Sequence, residues 1–346
     1  MLTTEFERRD LALSDAFTIS RGTREHTEVA FVRVTDDGGR TGVGAATPTA
    51  HYGSTPATLE AVLPDLLAAV ERVGDPHALG EIEREMDATV RETPAARTAV
   101  SIAVHDLAAK RLGVSLYRLW GLAPERSPPT SFTIGISDPE TMADRAAAAV
   151  EGGHGVLKLK LGTDRDRERV AAVREVAPDV RIRVDANEAW TPRESVRNSQ
   201  WLADADVEFL EQPVPAADPE GLKFVYEHGA LPIAADESCR TLPDIPQIAD
   251  RADIANLKLM KCGGLREAKR MIATARAHGL EVMLGCMLES SASIAAACHL
   301  APLLDYADLD GSLLLADDAD PYEALDLSDG RIELTDDRPG TGARVR

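Results

Sequence analysis

Lysine is scarce in this chain. Seven lysines among 346 residues leave 31 of the 38 basic residues as arginine. Cysteine is sparse too: Cys239, Cys262, Cys286 and Cys298 stand far apart, with no CxxC pair. That spacing excludes a zinc ribbon and a disulfide framework, and fits a reduced compartment. No run approaches the ~18 apolar residues of a membrane span; the best, Ile294 to Leu304, is interrupted by His299 and Pro302. The N-terminus MLTTEFERRD is charged and lacks the apolar core of a signal peptide, so a cytoplasmic protein is expected. Neither GxGxxG nor GxxxxGK follows the first strand-like segment, which weighs against a nucleotide fold. There is no low-complexity linker, and the length suits two domains.

Acids, by contrast, abound. Fifty-eight face 38 bases, a net charge of −20. Such a surface repels phosphate backbones, so neither nucleic acid nor membrane is an expected partner. Acidic, lysine-poor surfaces resemble those of proteins from salt-loving hosts. A GC-rich genome would explain the arginines but not the excess of acids. Where lysine is avoided, the remaining lysines are candidates for a task. Two lie in VLKLKLG and two in NLKLMKCGG.

From about residue 126 the chain has a beat. Short β-branched runs recur at 131–136, 156–161, 181–187, 207–213, 231–237, 253–259, 281–287 and 306–311. Helix-like stretches such as PETMADRAAAAVEGG separate them. Eight strands alternating with helices over about 180 residues predict an α/β fold, a closed βα barrel. Residues 1–125 read as an α+β domain. Alternation runs from Leu11 to Thr47 with a turn at Asp36–Gly39, and helices follow at Pro56–Val73, His77–Arg91 and Pro94–Leu112. Residues 316–346 are expected to return to that first domain, with a strand at Arg331–Leu334.

Six of the eight barrel strands end on charged residues, with Asp308 and Asp310 on the eighth. Lys160 ends the second, Asp185 the third, Glu211 the fourth, Asp236 the fifth and Lys258 the sixth, in steps of 25, 26, 25 and 22 residues. One βα unit takes about that length, so these groups arrive at one level, the catalytic mouth. A single acid at a strand end is more often a helix cap. Three on consecutive strands would repel unless a cation sits among them, and oxygen ligands without His or Cys suit Mg²⁺. Lys160 and Lys258 flank the acids on opposite sides. Lys158, two residues before Lys160, leaves the same strand face. Two opposed bases about a metal-bound carboxylate suit removal of an α-proton on one face, an enediolate, and reprotonation on the other.

These motifs carry a resemblance. AVSIAVHDLAAKRLGVSLYRLWG (99–121), the KxK of Lys158 and Lys160, VDAN at Asp185, LEQP at Glu211, ADES at Asp236 and NLK at Lys258 resemble the muconate-lactonizing subgroup of the enolase superfamily. Over nearly the whole chain the sequence is most similar to the dipeptide epimerases acting on L-Ala-D/L-Glu. The resemblance implies an α+β capping domain on a (β/α)7β TIM-like barrel, with the tail rejoining the cap, and Mg²⁺ on Asp185, Glu211 and Asp236, with Lys160 and Lys258 as the acid/base pair. It implies a small-molecule dipeptide substrate, whose ammonium meets Asp308 and Asp310 in YADLDG. The segment AFTISRGTRE (16–25) resembles a mobile specificity loop in which Arg21 or Arg24 meets a side-chain carboxylate. MLGCMLESS (283–291) resembles the epimerase seventh strand, with Glu289 lining the site. Ala45 departs from the family pattern, which has an acid there.

Other residues receive plainer readings. Asn187 and Gln212 are expected to orient their neighbours. Glu237 is expected on the far strand face, Lys261 near a helix cap, and His26 and His51 on the surface. The cysteines are expected as packed thiols, and a homo-oligomer is compatible with the sequence. Competing functions on the same site are a muconate-type cycloisomerase, an N-acylamino-acid racemase and an o-succinylbenzoate synthase. A non-catalytic binder would have little reason to keep both lysines and all three acids.

Overall fold

The computed structural model describes residues 1–346. Three antiparallel strands open the chain: β1 (Thr3–Ile19), β2 (Gly22–Thr35) and β3 (Thr41–Ala46). β2 and β3 meet at the expected turn, where Asp36 Oδ1 accepts the Gly38 and Arg40 amides, both at 2.9 Å. The segment 16–25 is not a loop. β1 and β2 pair down to Ile19↔Gly22, so Ser20 and Arg21 form the tip of a long hairpin.

Three helices cover this sheet: α1 (Pro56–Val73), α2 (Leu79–Thr89) and α3 (Pro94–Leu112). Pro56 follows a Thr55–Thr58 capping box, and Gly74 and Gly113 end α1 and α3 at φ near 70°. α3 is buried along most of its length because it lies between sheet and barrel. Gly44 permits this approach, since a Cβ there would lie 2.0 Å from the Ala99 carbonyl. Ala45 on the same strand packs with Phe31, Leu288 and Ala292, so an acid there would be buried among apolar side chains.

Eight parallel strands follow: β4 (Phe132–Ile134), β5 (Val156–Lys160), β6 (Arg181–Asp185), β7 (Val207–Glu211), β8 (Ile233–Ala235), β9 (Ile254–Lys258), β10 (Glu281–Gly285) and β11 (Tyr306–Asp308). A Thr130↔Ala307 bridge and a 3.1 Å bond from the Ser131 amide to the Ala307 carbonyl join the first strand to the last. A helix follows each of the first seven strands, giving the (β/α)7β barrel. Arg331–Leu334 is not a strand. The short pair β12 (Tyr322–Glu323) and β13 (Arg344–Val345) occurs instead. The tail runs against the first sheet and α3: Leu315 bridges Leu13, Arg33 donates to the Tyr322 hydroxyl at 2.9 Å, and buried Asp106 accepts the amides of Val43 and Thr341. No helix is long and apolar enough to cross a membrane.

Candidate active site

Register sets the site. Lys160 pairs with Asp185, Asp185 with Glu211, and Gly285 with both Lys258 and Asp308, so all stand at one level of the barrel. Asp185, Glu211 and Asp236 are fully buried, with carboxylate oxygens within 4.8 Å of one another. On one side Lys160 Nζ lies 2.6 Å from Asp185; on the other Lys258 Nζ lies 2.9 Å from Asp236. Gly285 makes room for Lys258, since a Cβ there would sit 3.0 Å from its Cε.

Lys158 is buried behind them, its Nζ 2.7 Å from both Glu211 and Asp308 and 3.5 Å from Asp185. Burial opposes its charge, but Asp308, Glu211 and Asp185 hold its pKa well above the ordinary value. Burial pushes Lys258 down, and Asp236 and Glu211 outweigh this and hold it above its ordinary value. Among the acids, burial and the neighbouring Asp185 push Glu211 up to about 7. Asp236 is held well below the usual carboxylate range, because Lys258 and Lys261 overcome its burial.

Around the triad the chain departs from regular geometry. Asn187 and Gln212, just past β6 and β7, have φ of 44° and 33°. Asn187 donates from its amide (2.8 Å) and its side chain (3.1 Å) to Asp185. Gln212 Oε1 accepts the amides of Asp236 and Ser238, each at 3.0 Å. Both therefore orient their neighbours as expected. The donor set fits a hard divalent cation. Three buried carboxylates converge, and Glu211 Oε2 is buried without an aligned hydrogen-bond donor even though Lys158 Nζ is close.

Above this floor opens a cavity of about 420 Å³. Lys160, Asp236 and Lys258 face it from below, Asp308 and Asp310 from one wall, and Phe17, Ile19, Arg21 and Arg24 from the hairpin above. Lys158 and the Ser131 hydroxyl engage Asp308, and although burial pushes its pKa up, Lys158 and Lys160 bring it down to about 2. Asp310 has no cation. Burial and the charge of Asp308 push it up to about 7, and its donors are the Thr133 amide and, at 3.9 Å, the Cys286 thiol.

Residues 3–121 match the mandelate racemase / muconate lactonizing enzyme N-terminal domain, and residues 141–346 the enolase C-terminal domain-like family. The chain belongs to the enolase superfamily. It is 37% identical to an L-Ala-D/L-Glu epimerase of Bacteroides thetaiotaomicron, over 96% of this chain and 85% of that protein. A dipeptide epimerase from Enterococcus faecalis, solved with Mg and L-Leu-L-Tyr, superposes with a TM-score of 0.91 at 34% identity, covering 98% of each chain. An N-succinyl Arg/Lys racemase from Bacillus cereus superposes at 0.92 with 29% identity, covering 100% of this chain and 95% of that one.

Within this superfamily member the two hairpin arginines differ. Arg21 is committed: it donates to the Asn187 carbonyl (3.0 Å), Glu188 (3.2 Å) and Glu237 (2.8 Å). Arg24 lines the cavity without an ion-pair partner. Glu237 does not point away. β8 stops at Ala235, the alternation lapses, and Glu237 turns to the site mouth, where burial and Asp236 push it up to about 8. Lys261 is no cap. It is buried, and Nζ donates to the Asp236 carboxylate and carbonyl and to the Asn256 carbonyl. Glu289, expected to line the site, turns back onto the Met287 amide at 2.8 Å and lies outside the cavity wall. His51 is exposed but stands at the mouth, 3.0 Å from Glu188, whereas His26 is an exposed neighbour of Asp10. Tyr52 escaped the sequence reading; it is buried and lines the cavity. Cys239 and Cys298 are packed thiols, and Cys286 reaches the cavity wall.

Proposed function

We propose that this protein epimerises a dipeptide by 1,1-proton transfer through an enediolate, with Lys160 and Lys258 as the two acid/bases. The observation that carries the reading is the pair of ammonium groups on opposite sides of three buried carboxylates, open to a cavity with a cation-free acid, Asp310, on its wall. Asp185, Glu211 and Asp236 would hold Mg²⁺, the ion with which the Enterococcus faecalis relative was solved. When bound, the ion supplies positive charge that favours negative charge on the substrate carboxylate as the α-proton leaves.

The chain's own groups do the rest. One lysine, as the neutral amine, takes the α-proton on its face and the other, as the ammonium, returns a proton on the opposite face, inverting the centre. Lys158 adds fixed positive charge beneath the substrate carboxylate. The C-terminal residue's α-carbon lies between the lysines, and the ammonium one residue away is received by Asp310, since Lys158 already engages Asp308. Arg24, rather than the committed Arg21, is the free cation for an acidic C-terminal side chain. A second reading, racemisation of an N-acylated amino acid, is favoured by the likeness to the N-succinyl Arg/Lys racemase. It leaves Asp310 without a cation. A dipeptide library in deuterated buffer, read by mass spectrometry, separates the two. Deuterium uptake at the C-terminal α-carbon of free dipeptides supports epimerisation; uptake by N-succinyl or N-acetyl amino acids alone promotes the racemase.

A further inference from the structure

A second cleft, of about 300 Å³, lies behind the wall of the catalytic cavity and shares Phe17, Thr133 and Leu314 with it. The common wall starts at Asp310, whose carboxylate accepts the Thr133 amide. The far side is made by the helix Pro139–Glu151, which carries the alanine run 146–149 and is capped by Gly152; Ala148, Ala149 and Gly152 leave the space open. Phe132 and Leu313 add apolar surface, and Arg145 lies 3.8 Å from Asp15 among the residues that line the cleft.

We propose that this cleft takes the side chain of the substrate's N-terminal residue and makes the enzyme prefer a large apolar residue there. The inference rests on the dipeptide reading. With the ammonium at Asp310, the N-terminal α-carbon lies beside Thr133. Towards β10 the wall is closed: Gly311 packs so tightly that a Cβ there would lie 2.0 Å from the Met287 carbonyl. On the side of the second cleft only side chains stand between, those of Thr133 and the half-buried Phe17 and Leu314. Arg145 and Asp15 offset each other's charge, so an ionic side chain gains little there, while each methylene placed against apolar surface is worth roughly fourfold in affinity.

The test uses Mg²⁺-loaded enzyme and four dipeptides, Gly-X, Ala-X, Leu-X and Phe-X, with X the C-terminal residue turned over best. The wild type is expected to favour Leu-X over Ala-X by at least about tenfold in kcat/KM. Ala148 is exposed on its helix, so Ala148→Phe fills the cleft without disturbing the core. It should lower the Leu-X to Ala-X ratio at least about tenfold. Leu314→Ala, which widens the passage, should raise the Phe-X to Leu-X ratio. Brisk turnover with a flat N-terminal preference, or an Ala148→Phe enzyme with the wild-type ratio, overturns the cleft and leaves the dipeptide reading standing. If no dipeptide is turned over, that reading falls and the cleft with it.

Discussion

Lys261 is a buried cation with three acceptors: Asp236 Oδ1 at 2.5 Å, the Asp236 carbonyl at 2.6 Å and the Asn256 carbonyl at 2.9 Å. Lys261→Met keeps the length of the side chain and removes its charge. Deleting one partner of a buried ion pair costs about 3–5 kcal/mol. Here Asp236 keeps Lys258 at 2.9 Å, and the methionine recovers apolar burial. A net loss of about 2–4 kcal/mol is therefore expected, large beside a typical total of about 5–15 kcal/mol yet compatible with folding. Urea denaturation in chelator, followed by tryptophan fluorescence, reads this loss. The same substitution frees the Asp236 carboxylate to move, so Mg²⁺ affinity measured by calorimetric titration should fall about 10–100-fold. A loss below about 1 kcal/mol with unchanged Mg²⁺ affinity would refute the claim that Lys261 holds Asp236 in place.

Other expectations follow from the same geometry. Asp236→Asn and Glu211→Gln should each weaken Mg²⁺ binding severely, and activity should vanish on chelation and return with Mg²⁺; activity that survives exhaustive chelation would count against the metal assignment. Asp310, raised to about 7, becomes an anion only as pH passes that value, so KM for a free dipeptide should fall between pH 6 and 7.5. The folded state also holds this proton more tightly than the unfolded chain, whose carboxyl titrates near its ordinary 3.8. Its stabilising contribution is thus full below that value and is lost as pH rises towards 7, a slope that Asp310→Asn should remove from the pH-stability curve. With a net charge of −20, the melting temperature should climb between dilute buffer and molar KCl; a flat curve would favour codon bias as the source of the arginines.

The barrel and its triad were legible because strand ends recur at nearly constant spacing and five consecutive ones carry an ionisable residue, Lys160, Asp185, Glu211, Asp236 and Lys258, at the end or one residue past it. α1 and α3 were legible to the residue, since Pro56 and Pro94 open them and glycines close them. Local pattern failed where tertiary contacts decide. Alternation from Leu11 to Thr47 read the strands of segment 16–25 but missed the hairpin tip at Ser20–Arg21, and the loop expected there from the resemblance is strand almost to that tip, held by the pairing of β1 with β2 and by the 2.8 Å bond from the Ile136 amide to Thr18. Glu237 was misplaced because strand alternation was carried two residues past the true end of β8. Lys261 was missed because its acceptors lie on the preceding strands. The scarcity of lysine was the available signal: Lys158, Lys160, Lys258 and Lys261 all surround the triad. Glu289, whose carboxylate turns back onto the Met287 amide, stands behind the cavity wall that Met287 and Leu288 form.

The central claim is that two lysines exchange protons on opposite faces of one α-carbon. Its most direct measurement is deuterium incorporation by Lys160→Ala and Lys258→Ala, each supplied separately with the L,L and L,D forms of a dipeptide that the wild type epimerises. The account predicts that neither variant epimerises, and that each still exchanges the α-hydrogen of one epimer only, the opposite epimer in the two cases. Epimerisation at the normal rate by either variant, or exchange of the same epimer by both, would contradict it.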